Sequence, residues 1–150
     1  ALGGVELDVP RNELLEADAD LADPARAAQV EDLTCLRYLH EPSIMQVLRA
    51  RAYTDQPYTF LSGILISVNP LRELEETVPL GFRQQPGTRS APHPFSLAET
   101  AFQQLCFSAK VGQPCAQSVV IAGESGAGKT EAAKRVLRHL IARAGRPPPA

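Results

Sequence analysis

An α/β fold, with helices packed on a mixed and mainly parallel sheet, is predicted from three features of the sequence. Residues 58–68 form a run rich in β-branched and aromatic side chains. A second short run of this kind, Ser118 to Ala122, leads directly into a glycine-rich loop. Stretches with helical periodicity lie before, between and after these runs. Strands alternating with helices in this way are expected of α/β domains.

The chain has 150 residues, enough for one domain or part of a larger one. Its hydrophobic share, 44%, is ordinary for a globular protein. The formal net charge of −2 provides no broad basic field, so a nucleic-acid partner is not expected. Membrane insertion is not expected either, because the longest apolar run is too short to span a bilayer. Residues 1–20 are studded with acids and do not read as a signal peptide. Cys35, Cys106 and Cys115 are odd in number and lack metal-ligand spacing. They read as buried or partly buried free thiols in a reducing, cytoplasmic compartment.

Residues 1–30, acidic and alanine-rich, predict a solvated lead-in arm with at most one short helix. Leu33, Leu36 and Leu39 recur at helical spacing. Glu41-Pro42-Ser43 then starts a second helix, with Pro42 in a first turn where its missing N–H costs nothing. Ile44, Val47 and Leu48 form its apolar stripe. Tyr58 to Val68 predicts one strand, apolar at both parities as a central strand is, and stopped by Asn69-Pro70. Residues 71–94, rich in proline and glycine, read as loop.

Ser96 and Glu99 have the spacing of a capping box, opening a helix with Ala98, Ala101, Phe102, Leu105 and Ala109 on one face. Gly112 and Pro114 end it. Ser118 to Ala122 predicts a strand in the same sheet as 58–68. From Lys129 a further helix begins, with Val136, Leu137, Leu140 and Ile141 on one side. Lys134, Arg138 and Arg143 face away, and Glu131 is spaced to pair with Arg135. Gly145 and Pro147 close it, and residues 146–150 read as a disordered tail. Residues 31–145 are thus the folded part. His40, His93 and His139 share no metal spacing and read as surface or capping residues.

The chemistry lies in Gly123, Glu124, Ser125, Gly126, Ala127, Gly128, Lys129 and Thr130, which fit the Walker A pattern completely. Glycines permit a tight loop whose N–H groups turn inward around phosphate oxygens. The following helix aims its N-terminal dipole at the same place. Lys129 can reach the β- and γ-phosphates, and the Thr130 hydroxyl can ligate Mg2+. No Walker B carboxylate is found, so enzymatic activity stays open. Another P-loop NTPase or phosphotransferase, or a non-enzymatic nucleotide-binding fragment, fits the motif too.

The octapeptide followed by Glu131 closely resembles the P-loop of the myosin motor domain. Other segments agree in order. Glu31-Asp32-Leu33-Thr34 and Tyr38 to Ser43 resemble the stretch that opens the motor. Tyr58 to Pro70 resembles the strand ending in the family's adenine-pocket motif, here Asn69-Pro70. Pro92-His93, Phe95 and Ala98-Glu99 resemble the helix before the P-loop strand, and Gln117 to Ile121 that strand itself. Thr77 stands where the family usually has a tyrosine, and Gly63 stands one position later than the family's glycine. The resemblance implies a P-loop NTPase sheet with flanking helices, ATP and Mg2+ as ligands, and a cytoplasmic, cytoskeletal, ATP-driven motor on actin filaments. It also implies that the switch segments and actin-binding cleft follow residue 150, so that this segment alone lacks hydrolysis and motility.

Overall fold

The computed structural model describes residue 16, residues 18–85, residue 88 and residues 90–145. The tail expected at 146–150 and residues 1–15 of the expected arm lie outside the described residues.

Acidic residues at the start of the described chain act as caps. Asp18 caps a 3-10 turn at Ala19–Ala22, and Asp23 caps the short helix α1, Pro24–Ala28. This region departs from the solvated lead-in expected of residues 1–30. Leu21, Ala27 and Ala28 are buried in one core with Leu33, Val47 and Ala50. The acids hold the polar face through caps and the exposed Asp20–Arg26 pair at 2.7 Å, while the small apolar residues turn inward.

The helix expected from Leu33, Leu36 and Leu39 shrinks to a 3-10 turn, Leu33–Cys35. Asp32 accounts for the difference. Its Oδ1 accepts from the N–H and hydroxyl of Thr34 and from the N–H of Ser62, fastening the segment to a neighbouring hairpin rather than to a continuing helix. Helix α2 runs Glu41–Tyr53, with Pro42 in its first turn and His40 Nδ1 accepting from Ser43 N–H. Its buried Arg51 gives Nη1 to Ala28 O at 2.7 Å and Nη2 to Tyr58 O at 3.0 Å, which ties α1 to the next strand.

Residues 58–68 are two strands, not the single strand expected. β1, Tyr58–Leu61, and β2, Ile64–Ser67, pair antiparallel from Tyr58↔Ser67 to Leu61↔Ile64. Ser62 adopts φ 57° at the reversal. A two-residue Ser-Gly turn inside an apolar run leaves the composition strand-like throughout, which hides it. Asp32 and Phe60 form a parallel bridge beside β1.

Helix α3 spans Pro94–Lys110 and starts before the expected capping box. His93 is its cap, with Nδ1 accepting from Phe95 N–H at 3.1 Å. Ser96 instead donates its hydroxyl to Ala91 O, and Glu99 faces the last helix. That helix, α4, spans Lys129–Ala144, with Gly145 at its end as expected.

The contact between α3 and α4 turns on Glu99, which is fully buried. Arg143 Nε donates to it at 2.5 Å, His139 Nε2 meets it at 3.1 Å, and Gln103 donates at 3.0 Å. His139 and Arg143 are therefore core residues, not the surface histidine and solvated arginine expected. Val136, His139 and Arg143 form the buried face, while Leu137 and Ile141 are exposed. Burial alone would raise the Glu99 carboxyl. The bonds from Arg143, His139 and Gln103 outweigh it and hold the group below the ordinary carboxylate value. Phe95 stacks on His139 with ring centroids 5.4 Å apart and contacts His93 edge-on at 4.5 Å.

Residues 113–124 adopt no regular structure. The strand expected at Ser118–Ala122 has no ladder partner among the described residues, and Val120 is 88% exposed. A cleft of about 830 Å³ lies between this run, Phe60, Ile64 and Leu65 of the hairpin, and Leu97 and Ala101 of α3. Of the cysteines, Cys106 is half-buried, but Cys35 and Cys115 are exposed, contrary to expectation. Among the described residues no helix is long and apolar enough to cross a membrane.

Candidate functional site

The glycine-rich loop sits at the start of α4, and three of its glycines carry positive φ: Gly123 at 153°, Gly126 at 79° and Gly128 at 88°. Side chains at these positions would be strained. A Cβ on Gly123 would also come within 3.2 Å of the Ala127 Cβ. Ala127 N–H closes a turn onto Glu124 O at 3.2 Å. Gly128 caps α4 with no side-chain acceptor, so the helix start is not blocked by a capping side chain. Glu124, Ser125 and Thr130 are exposed. Lys129 folds over the loop, its Nζ donating to Gly123 O at 2.9 Å and Glu124 O at 2.7 Å. These are weak, neutral acceptors compared with an anionic oxygen. A backbone concavity, an uncapped helix start and one cation held only by two carbonyls fit a phosphate group.

Asn69 joins this loop from far away in sequence. Its Nδ2 donates to Gly126 O at 2.7 Å, and its Oδ1 accepts from Leu71 N–H at 3.0 Å. Gly128 is close enough that a Cβ there would lie 3.8 Å from the Asn69 side chain. Asn69 and Pro70, predicted from sequence to belong with residues 123–130, line the same open cleft of about 670 Å³ as Ala127 and Gly128.

The rest of that cleft's lining was foreseen only in part, through Thr77 and Arg135. Tyr58, Glu76, Thr77, His93, Glu131 and Arg135 also line the cleft. Glu76 Oε1 accepts from Arg135 Nε at 2.9 Å, and its Oε2 meets His93 Nε2 at 2.7 Å. Glu131 pairs with Lys134 at 2.7 Å, so the expected Glu131–Arg135 pair does not form. Burial lowers the His93 pKa below its ordinary value, against the opposing effect of Glu76. Pro94 in a first helical turn was the available signal that His93 is a cap. Nothing in the loop sequence singles out Glu76.

A family description, "Myosin head (motor domain)", matches residues 30–148. The chain belongs to the myosin head family. Its similarity extends to individual members of that family. It is 40% identical to Myosin-8 of Arabidopsis thaliana over 126 residues, which cover 81% of this chain and 8% of that protein. It is 38% identical to Myosin-13 of the same plant over 121 residues, 78% of this chain and 8% of the relative. With the Myosin-J heavy chain of Dictyostelium discoideum it shares 34% identity over 141 residues, 91% of this chain and 6% of that protein. The chain thus spans less than a tenth of the length of these curated relatives. Membership in the myosin head family carries a P-loop NTPase type of motor fold, of which the described residues show a two-stranded sheet and its flanking helices.

Proposed function

We propose that this chain is the nucleotide-binding N-terminal part of a myosin-type motor head, with residues 31–145 as that part, 1–30 leading in and 146–150 as a tail. The observation that carries the reading is the bond from Asn69 Nδ2 to Gly126 O, which joins the Asn-Pro segment to the glycine-rich loop across 57 positions. In this reading Gly123 to Gly128 surround the phosphates of ATP with backbone N–H groups. Lys129 exchanges two carbonyls for phosphate oxygens, and Thr130 ligates Mg2+. Asn69 and Pro70 border the adenosine end. Bound Mg2+ would neutralise phosphate charge.

The whole protein is read as an ATP-driven motor on actin filaments, cytoplasmic and attached to the cytoskeleton. Residues 1–150 alone contribute a phosphate cradle and one metal ligand. Phosphoryl transfer also needs a second metal-holding element and a group that orients water. The segment by itself is therefore expected neither to hydrolyse ATP nor to bind actin tightly, and steady-state phosphate release with and without actin tests this.

The binding test is a fluorescent ATP-analogue titration of the polypeptide that carries the segment. Lys129→Ala should abolish most binding. Thr130→Ala should weaken binding more with Mg2+ than without it. Unchanged affinity in Lys129→Ala would overturn the reading.

A further inference from the structure

One carboxylate in the lining of the cleft that Asn69 shares is held by two partners. Glu76 lies in a stretch without regular structure, yet its two oxygens are taken by two different helices' residues: His93 at the start of α3 and Arg135 on α4. His93 is only 1% exposed, and its Nδ1 already accepts from Phe95 N–H. The ring proton therefore sits on Nε2 and points at Glu76. Tyr58 of β1 packs its ring edge-on against His93, centroids 5.1 Å apart. The hairpin, the loop, α3 and α4 thus meet around this carboxylate.

We propose that Glu76 is a positioning residue for the base and ribose end of the nucleotide. It fixes residues 71–77, which line the cleft, without itself being needed by the phosphates. The inference rests on the nucleotide reading above. A loop with no ladder must be ordered when a ligand binds against it, and that ordering opposes affinity. Glu76 orders it beforehand. Without Glu76, Arg135 loses its carboxylate, His93 is left with a buried, unpaired Nε2–H, and residues 71–77 are released from both helices. The loop at 123–130 keeps its own turn and its bond to Asn69, neither of which involves Glu76.

Isothermal titration of the whole polypeptide that carries these residues, with MgATP and separately with magnesium tripolyphosphate, tests the proposal. Glu76→Ala should weaken MgATP about tenfold and leave tripolyphosphate within about twofold. Glu76→Gln, which keeps one acceptor oxygen, should lie between. Glu76→Ala combined with Arg135→Ala should lose little more than Glu76→Ala alone, because removing the carboxylate already removes the Arg135 contact. MgATP affinity unchanged in Glu76→Ala would overturn the proposal, and so would equal losses for both ligands, which would mark Glu76 as a general support of the fold. Lys129-independent binding of MgATP by the wild type would instead refute the nucleotide site itself, and this proposal with it.

Discussion

Of two regions of the molecule, the one more apolar in sequence is the less buried in structure. Residues 19–50 bury Leu21, Leu33 and Val47 at 2% exposure or less. Residues 118–122 are as β-branched as any strand in the chain, yet Val120 is 88% exposed and Ile121 36%. The first region closes its hydrogen bonds locally through Asp and His caps, and its small alanines admit close helix contacts. The second requires ladder partners from other strands before either face can be covered. Apolar composition therefore becomes core only where partners lie within reach. The glycine-rich loop hangs at the end of the uncovered run, while Asn69 and α4 tie it to the covered part.

The α3–α4 contact is the most sensitive place to break the covered half. Glu99→Ala should destabilise it by about 3–5 kcal/mol, since Arg143 and His139 would remain buried without their acceptor. Urea unfolding measures this, and a loss below about 1 kcal/mol would show that water replaces the carboxylate.

The contrast itself is tested by a pair of truncations. Leu33→Ala should cost roughly 2–5 kcal/mol, as expected for a fully buried leucine. Val120→Ala should change stability by less than about 0.5 kcal/mol, as at exposed sites. Comparable losses at the two positions in the same unfolding experiment would mean that residues 118–122 are covered in the whole protein.

Much of this division was legible in sequence, and the misses share a cause. Helices α2 and α4 were read correctly because a first-turn proline at one start and a terminal glycine at the other end bound them. The turns of the glycine-rich loop were legible because Gly123, Gly126 and Gly128 stand where the backbone takes a positive φ. The hairpin was missed because Ser62-Gly63 interrupts 58–68 without lowering its strand character. Glu99, His139 and Arg143 were missed because charged residues buried by mutual pairing look the same in sequence as solvated ones. Residues 18–30 misled in the same way, their acids reading as solvation when Asp18 and Asp23 are caps.

Acid should loosen the same half of the molecule. Glu99 has a lowered pKa, so its contribution is present above its ordinary value of 4.5 and lost as pH falls through the lower, folded value. His93 is lowered from 6.5 by burial, so its neutral form stabilises the fold fully above pH 6.5 and progressively less below it. Stability followed by urea midpoint should therefore fall from pH 7 to 5. A rise over that range would contradict the His93 assignment, and the absence of a further fall below pH 4.5 would contradict that of Glu99.

A small gain in stability is expected at the hairpin reversal. Ser62 holds φ 57°, whereas Gly63 shows no positive φ and has open space where a Cβ would lie. Ser62→Gly should stabilise by about 0.5 kcal/mol, the relief of left-handed backbone less the extra freedom of unfolded glycine. Ser62→Val should destabilise. A loss of stability in Ser62→Gly would show that the serine side chain matters more than its backbone.

Amide hydrogen exchange with and without MgATP, on the polypeptide that carries this segment, tests the central claim most directly. The exposed loop should exchange quickly when free. On adding MgATP, amides of residues 124–130 should slow by an order of magnitude or more as they close on phosphate oxygens. Those of α2 should not change. Unaltered exchange across 124–130 at saturating MgATP would contradict the assignment of this loop, Lys129 and Asn69 as a nucleotide site.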